Sequence, residues 1–240
     1  MRLLIVTDFH YAGQGVPSVL PERRSDLTLT LLDAVRKQES SPDAVLCLGD
    51  VVDNGLSDAA LNDWTAVREA LARFDAPILA IPGNHDRDNA RFASVFGEPA
   101  PLTLRDSDGL RVRLIPFADT YDERDVCSRD FARMERVFAD IRPDEVTVVC
   151  QHNTVLPEIR SDYPYTPLRC REIADREARA GVRLSLSGHY HDGLAPFRED
   201  GVTYACVPAL CEAPFRYAVA ELTRDTVRVT WKNAGAVKGF

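Results

Sequence analysis

Long apolar segments are absent from this sequence of 240 residues. No stretch approaches the roughly 20 apolar residues that a membrane-spanning helix requires. The first apolar run, residues 3–6, is too short for the core of a secretory signal and instead predicts a buried strand. We therefore expect a single soluble, cytoplasmic domain over residues 1–240 that does not contact a membrane.

Paired-cysteine motifs and an excess of positive charge are also absent. None of the six cysteines forms a CxxC motif. Without an export signal, we expect these cysteines to be reduced structural thiols rather than metal ligands. The net charge of -8 predicts an acidic surface that repels polyanions, so a nucleic acid polymer is disfavoured as a partner.

Histidine is scarce, and its placement is uneven. Five apolar runs, at residues 3–6, 44–48, 78–81, 146–150 and 182–186, each lead into a polar cluster. All five histidines lie in or beside these clusters, a distribution that random scattering over surface and core would rarely produce. The clusters contain Asp8 and His10, Gly49 and Asp50, Gly83-Asn84-His85-Asp86, His152, and Gly188-His189-Tyr190-His191.

The spacing of apolar residues predicts an α/β fold. Runs that are apolar at nearly every position are typical of strands buried on both faces. Between them, three- and four-residue spacing predicts helices, one of them over residues 56–71 with Ser57 as its N-cap and another after Ser128. Alternating strands and helices predict a largely parallel sheet. The tail predicts an antiparallel stretch closing a second sheet, with strands at 202–207, 217–222 and 226–231.

The polar clusters predict a metal site. Ligands of open α/β sheets bind beyond the carboxyl ends of the strands, so five neighbouring strand ends can converge on one cleft. The clusters supply imidazoles, carboxylates and a carboxamide, which suit divalent Mn, Fe, Zn or Co. They do not suit a dedicated calcium site, which needs oxygen ligands throughout.

In their order along the chain, these clusters resemble the motifs of the calcineurin-like metallophosphoesterase superfamily. The resemblance implies a four-layer α/β/β/α sandwich with two central mixed sheets and two divalent ions, for which Mn is favoured. It further implies that His85 stays free of the metals as a general acid and that Asp53 orients it. The first ion would be bound by Asp8, His10 and His191, the second by Asn84, His152 and His189, and both by Asp50.

This arrangement has a chemical rationale. Two ions about 3.5–4 Å apart can hold a hydroxide between them and clamp phosphoryl oxygens. Metal binding lowers the pKa of water towards ~7, which provides a nucleophile at neutral pH. We therefore expect hydrolysis of a small, nucleotide-like phosphoester. The short connection after Asp86 indicates an open cleft, which favours a phosphodiesterase over a monoesterase. The alternatives are a nuclease of the same fold and a non-catalytic scaffold that binds protein partners.

Two irregular loops, residues 11–25 and 153–167, flank the predicted site. Their side chains leave two interpretations open. Arg23, Arg24 or Arg160 contacts a phosphate, or each is solvated. Tyr163 or Tyr165 stacks on a base or sugar, or both brace their loop. Tyr11 and Tyr190 are expected to line the cleft, where their role is packing or substrate contact.

Overall fold

The structure is a computed structural model that describes residues 1–13, 18 and 23–235. Within these residues a 3₁₀ turn at Ser25–Leu27 precedes the first helix. The helices are α1 (Thr28–Gln38), α2 (Ala60–Ala72), α3 (Asn89–Phe96), α4 (Phe131–Ala139) and α5 (Cys170–Arg179). The strands are β1 (Arg2–Val6), β2 (Ala44–Cys47), β3 (Ile78–Ala80), β4 (Leu102–Arg105), β5 (Arg111–Pro116), β6 (Thr120–Tyr121), β7 (Cys127–Ser128), β8 (Glu145–Cys150), β9 (Leu184–Ser187), β10 (Leu194–Glu199), β11 (Val202–Cys206), β12 (Arg216–Leu222) and β13 (Val227–Asn233).

Two mixed sheets form the centre of the molecule. The first has the order β13-β12-β1-β2-β3, and the second has the order β10-β11-β9-β8-β5-β4. Within the first sheet β1, β2 and β3 run parallel, and within the second β5, β8, β9 and β11 do so. The outer strands pair antiparallel, and β6 and β7 form a separate hairpin.

Alternate side chains along each strand pack in different cores, and this produces the layers. On β1, Leu4 and Val6 pack in a core with α1 and α2, whereas Leu3 and Ile5 pack in a second core between the sheets. A third core joins the second sheet to α4 and α5 through Met134. Because successive side chains of a strand point to opposite faces, each sheet is covered on both sides. The predicted α/β/β/α sandwich with two central mixed sheets is confirmed.

One helix begins later than predicted, and the helix predicted after Ser128 is present as α4. Helix α2 begins at Ala60 because residues 54–59 form turns, and Ser57 is therefore not its N-cap. Helix α4 begins at Phe131, where the Asp130 carboxylate accepts a hydrogen bond from the Arg133 amide at 2.9 Å. This is the usual way in which an aspartate satisfies a free amide at a helix start.

The predicted antiparallel tail is only partly right. Strand β11 pairs parallel with β9 in the second sheet, whereas β12 and β13 extend the first sheet, where β12 pairs antiparallel with β1. The chain crosses from one sheet to the other between Cys206 and Arg216. The carboxyl end of β11 therefore lies at the same edge as those of β8 and β9.

The part of the chain that the structure describes contains no helix with both the length and the apolar character needed to cross a membrane. The cellular location and the single-domain assignment inferred from the sequence stay predictions.

A buried polar cluster lies beside the third core. Arg129 donates to the two oxygens of Asp119 at 2.5 and 2.8 Å, and to Gln151 Oε1 at 3.1 Å. Glu177 on α5 is fully buried beside the hydroxyl groups of Ser185 and Tyr204. Burial raises the pKa of Glu177 to about 7, although the nearby Arg129 charge offsets part of this effect.

We expect the Glu177→Gln variant to unfold at higher urea concentration than the parent at pH 8. The Glu177 pKa is about 7 in the folded protein and near 4.5 ordinarily, so the stability present below pH 4.5 is lost as the pH rises to about 7. The neutral amide avoids that loss, which amounts to at most roughly 3 kcal/mol. The advantage should shrink at pH 5. Glu98→Gln, at an exposed position, is the control, and an equal gain at both pH values would contradict the assignment.

Candidate metal centre

The predicted polar clusters converge at one edge of the two sheets. They follow β1, β2, β3, β8 and β9, the strands that the sequence indicated. The side chains surround a cavity of about 530 Å³ that Asp50, Asn84, His85, His189 and His191 line. The structure therefore brings together the residues predicted to bind metal from positions as far apart as Asp8 and His191.

Several of these residues have unusual backbone conformations. Asp8, His10, Asp50 and His189 have φ values of 53°, 46°, 49° and 67°. Such left-handed conformations are uncommon for residues other than glycine and concentrate at functional sites. Hydrogen bonds hold the first two loops together, because the amides of Phe9 and His10 both donate to the Asp50 carbonyl at 2.9 Å.

Glycine is required where these loops approach the candidate ligands most closely. A Cβ atom on Gly83 would lie 2.5 Å from the Asp50 amide nitrogen and would also clash with its carboxylate. A Cβ atom on Gly188 would lie 2.5 Å from Asp8 Oδ2. The absence of side chains at these two positions allows the loops to close around the acidic groups.

The first candidate set contains Asp8, His10 and His191. Their ligand atoms all lie within 4.8 Å of one another. Nε2 of His10 is 3.2 Å from Nε2 of His191, which is 3.4 Å from Asp8 Oδ1. These three atoms therefore face a common point, as one metal ion requires.

The second candidate set contains Asn84, His152 and His189. Nε2 of His152 lies 3.2 Å from Asn84 Oδ1 and 3.4 Å from Asp50 Oδ2. Asp50, His152 and His189 also form a group whose ligand atoms lie within 4.8 Å. The same Asp50 oxygen is 3.5 Å from His10 Nε2, so it lies between the two sets.

The electrostatics of the site suit cations. Burial alone would raise the pKa of Asp8 and of Asp50, but contacts with the surrounding histidines lower both below their usual range. Burial lowers the pKa of His10 to about 4 and that of His189 to about 3, which leaves both imidazoles neutral. Ionised carboxylates and neutral imidazoles are the forms that bind metals.

The other two candidate histidines are protonated in the metal-free site. Burial would lower both pKa values, but Asp50 raises the pKa of His152 to about 9, and Asp8 and Glu212 raise that of His191 to about 10. Metal binding would therefore displace a proton from each of these two rings.

Two atoms of the candidate metal ligands lack a hydrogen-bond partner within the described residues, namely Asp8 Oδ1 and His189 Nε2, and both are buried. Buried polar atoms rarely lack a partner because the loss of hydration is costly. One of these atoms belongs to each candidate set, and coordination would satisfy both. The residues therefore fit a pair of divalent ions.

His85 lies beside the two sets, and Asp53 contacts it in a way that the sequence did not predict. The ring nitrogen Nδ1 of His85 is 2.7 Å from the backbone carbonyl of Asp53, not from its carboxylate. The Asp53 carboxylate instead lies 3.4 Å from His10 Nδ1 and 3.3 Å from Arg23 Nη1. Asp53 therefore contacts His85 through its backbone carbonyl, because the turn after β2 directs its side chain towards His10.

Asp86 is a site residue whose role the sequence analysis missed. Its buried carboxylate accepts hydrogen bonds from the amides of Val51, Val52 and Gly83 and from the Trp64 indole, at 2.8–3.3 Å. It thereby ties the loop that carries Asp50 to the loop that carries Asn84. Burial and the nearby Asp50 charge raise the pKa of Asp86 to about 6.

Glu212 was also missed. Its carboxylate accepts a hydrogen bond from His191 Nδ1 at 2.5 Å, which leaves Nε2 of that ring facing Asp8. The signal in the sequence is an acidic residue shortly after the carboxyl end of β11, and it was overlooked because the tail was expected to be antiparallel throughout. His152 is oriented differently, since its Nδ1 lies 2.7 Å from the Leu48 carbonyl.

The arginines of the two loops are placed differently from one another. Arg23 lines the cavity, whereas Arg24 pairs with Asp26 at 2.8 Å on the surface. Arg160 is exposed and is not among the described residues that line the cavity. Of the loop at 11–25, residues 14–17 and 19–22 lie outside the described residues.

The tyrosines of these segments divide into two kinds. Tyr163, Tyr165 and Tyr190 line the cavity. Tyr11 is buried and forms a β-bridge with Val52 in the first core, which is a packing role.

Comparisons with known proteins agree with this geometry. The model of the calcineurin-like phosphoesterase family matches residues 1–193. The 3′,5′-cyclic adenosine monophosphate phosphodiesterase CpdA of Escherichia coli strain K12 is 24% identical, with 97% of this chain and 84% of the relative covered. A probable cyclic nucleotide phosphodiesterase of Rhodococcus erythropolis is 29% identical over 79% of this chain and 64% of its own length. A crystal structure of a dimetal phosphatase from Danio rerio has a similar fold, with a TM-score of 0.76, 16% identity, and coverage of 98% and 96% of the two chains.

We expect Glu212→Ala to weaken the binding of one of two Mn²⁺ ions by about 10- to 100-fold, which is the usual cost of losing a partner that orients a metal-binding histidine. Titration calorimetry of metal-stripped protein measures both affinities. Glu212→Gln should give an intermediate loss, because the amide can accept the hydrogen bond but carries no charge. Glu221→Ala, at an exposed position on β12, should match the parent. Unchanged affinities in Glu212→Ala would show that Glu212 does not orient His191.

Proposed function

This chain belongs to the calcineurin-like phosphoesterase family, and on that basis we propose that it is a dinuclear-metal hydrolase of a small phosphodiester. The substrate class that we favour is a cyclic mononucleotide. Relatives named as cyclic nucleotide phosphodiesterases support this choice, since several of them match most of this chain.

The observation that carries the proposal is the position of Asp50 Oδ2. It lies 3.5 Å from His10 Nε2 and 3.4 Å from His152 Nε2, one histidine from each candidate set. A carboxylate oxygen so placed is suited to bridge two cations and to offset the repulsion between them. A site for one ion would not need a shared carboxylate.

Asp8, His10 and His191 would hold the first ion and Asn84, His152 and His189 the second, with Asp50 bridging. Two divalent ions, preferably Mn²⁺, would activate water at neutral pH and neutralise the charge on the phosphoryl oxygens. The protein positions these ligands through backbone contacts, as when the His189 amide donates to Asp8 Oδ2 at 3.0 Å. Asp8 and Asp50 are themselves buried, which limits the contact of these two ligands with solvent.

His85 is proposed to move the proton that the departing oxygen needs. Because a carbonyl oxygen can only accept a hydrogen bond, the contact of Nδ1 with the Asp53 carbonyl keeps the proton on Nδ1. In the imidazolium form Nε2 carries the second proton, and this nitrogen would donate it to the leaving group and leave a neutral ring with its remaining proton on Nδ1. The His85 ring stands edge-on to His10 at 4.5 Å between centroids and lines the cavity, which places it next to the first candidate set.

The cavity is suited to a small diester. Its volume of about 530 Å³ is in the range of pockets for small ligands. Asp125, Asp192 and Glu212 also line it, and these carboxylates would repel the additional phosphates of a nucleic acid chain. The net charge of -8 acts in the same direction.

We expect metal-stripped protein to lack phosphodiesterase activity and to recover it with about two equivalents of Mn²⁺. Elemental analysis gives the stoichiometry, and the rates on bis-p-nitrophenyl phosphate, p-nitrophenyl phosphate and 3′,5′-cyclic AMP give the ester class. The diesters should be hydrolysed faster than the monoester. Binding of a single equivalent would contradict the dinuclear site, and a faster monoester reaction would contradict the diester assignment.

We expect His85→Ala to retain both metal ions but to hydrolyse 3′,5′-cyclic AMP about 10²- to 10⁴-fold more slowly, which is the usual contribution of a general acid. The loss should be much smaller with bis-p-nitrophenyl phosphate, because p-nitrophenolate leaves without needing a proton. Equal losses on the two substrates would show that His85 acts in another way.

A further inference from the structure

Three tyrosines form one side of the cavity. The ring of Tyr165 stands edge-on to Tyr163 at 5.0 Å and to Tyr190 at 5.1 Å between centroids. Tyr163 and Tyr165 also lie 5.5 and 5.6 Å from the ring of His189. His189 belongs to the second candidate metal set. We call Tyr163, Tyr165 and Tyr190 the aromatic wall.

Hydrogen bonds connect Tyr163 of the aromatic wall to a candidate metal ligand. The Tyr163 hydroxyl accepts a hydrogen bond from Asn84 Nδ2 and donates one to Asp125 Oδ2, both at 3.3 Å. Asp125 in turn forms an ion pair with Arg87. Residues of two other loops therefore fix the ring beside the metal ligands, while Tyr163 stays 36% exposed.

The loop is also held by contacts that do not involve the tyrosine rings. Asn153 Nδ2 donates to the carbonyls of Pro164 and Tyr165, each at 3.3 Å, and the Leu168 amide donates to the Cys127 carbonyl at 2.9 Å. These contacts fix the backbone of the loop, so bracing the loop does not by itself account for aromatic surface that is exposed to the cavity.

Charge is distributed unevenly around the cavity. Among the described residues that line it, Arg23 supplies the only Lys or Arg side chain, and Arg23 lies beside His10 and Asp53 at the first candidate set. The aromatic wall lies at the second set, and its charged neighbours in the cavity, Asp125, Asp192 and Glu212, are all acidic, which disfavours an anionic group there. A group that occupies this end is therefore expected to be uncharged, planar and apolar on its faces, which describes a nucleobase.

We propose that the aromatic wall is a stacking subsite that takes the nucleobase of the substrate while the phosphodiester lies at the metal sets. The inference deepens the proposed function and rests on it for the identity of the ester. Stacking of a base on an aromatic side chain stabilises a complex with little dependence on base identity. The subsite therefore selects nucleotides over phosphodiesters without a base.

The test compares 3′,5′-cyclic AMP with ribose 3′,5′-cyclic phosphate, which lacks the base, on Mn²⁺-loaded protein. We expect Tyr163→Leu and Tyr165→Leu each to lower kcat/KM for cyclic AMP by about 5- to 100-fold, mainly through KM. The base-free ester should lose little. Tyr163→Phe keeps the ring and should keep the preference for the nucleotide, with any loss confined to kcat through Asn84. Phe197→Leu, an aromatic position on β10, is the matched control and should leave both substrates unaffected.

An unchanged ratio of the two kcat/KM values in both leucine variants would overturn the subsite. Titration calorimetry with adenosine, compared with ribose, separates this failure from failure of the proposed function. If the parent hydrolyses neither ester but binds adenosine more tightly than Tyr163→Leu and Tyr165→Leu do, the proposed reaction is wrong and the subsite stands. If the parent hydrolyses neither ester and binds adenosine no more tightly than the two leucine variants do, the subsite is wrong as well.

Discussion

The burial of two ionised carboxylates at the meeting point of the strand ends is the constraint on which the rest of the site depends. Asp8 is fully buried, and Asp50 is exposed by only 1%. Removing such charges from water costs several kcal/mol each unless opposite charge and hydrogen bonds compensate. The protein supplies amide donors and four imidazoles around them, and a buried oxygen of Asp8 still lacks a partner within the described residues. Because the buried carboxylate charge is only partly compensated, the cluster is suited to bind cations.

The placement of these buried carboxylates also accounts for the strained backbone at the site. Asp8 and Asp50 both have positive φ values, which bring their carboxylates to the cavity instead of along the strand direction. The surrounding structure holds these conformations through contacts that are themselves buried. Asp86 is central here, because one carboxylate collects three amides and an indole from separate segments. The two packed sheets below provide the rigidity that keeps these loops in place.

The two candidate sets differ in their surroundings, so the two ends of the cavity differ chemically. The first set has carboxylates near the outer nitrogens of its histidines, from Asp53 on His10 and from Glu212 on His191. The second set has a neutral carbonyl on His152 and aromatic rings against His189. Additional carboxylates therefore lie against the histidines of the first set, and aromatic rings lie against His189 of the second set. A substrate with a phosphodiester at one end and a heterocycle at the other would match both.

Sequence patterns were sufficient to predict the layer architecture and the identity of the clustered side chains. Apolar runs indicate strands buried on both faces. A polar residue that follows such a run therefore lies at the edge of the sheet, beyond the carboxyl end of the strand. For this reason Asp8, Asp50 and His152 were found without any three-dimensional information. Local patterns also located the helices, although the start of α2 moved to Ala60 because the preceding residues form turns.

The contacts between side chains from distant segments became known only from the tertiary structure. It turned the Asp53 carboxylate towards His10, placed β11 parallel to β9, and brought Glu212 to His191 and Tyr163 to Asn84. Tyr163 and Asn84 are 79 residues apart in the chain. Periodicity reports which face of a strand or helix is buried, but it carries no information about which distant segment lies opposite. That choice depends on the packing of whole sheets, and on it depend the tautomers, the strain and the shape of the cavity.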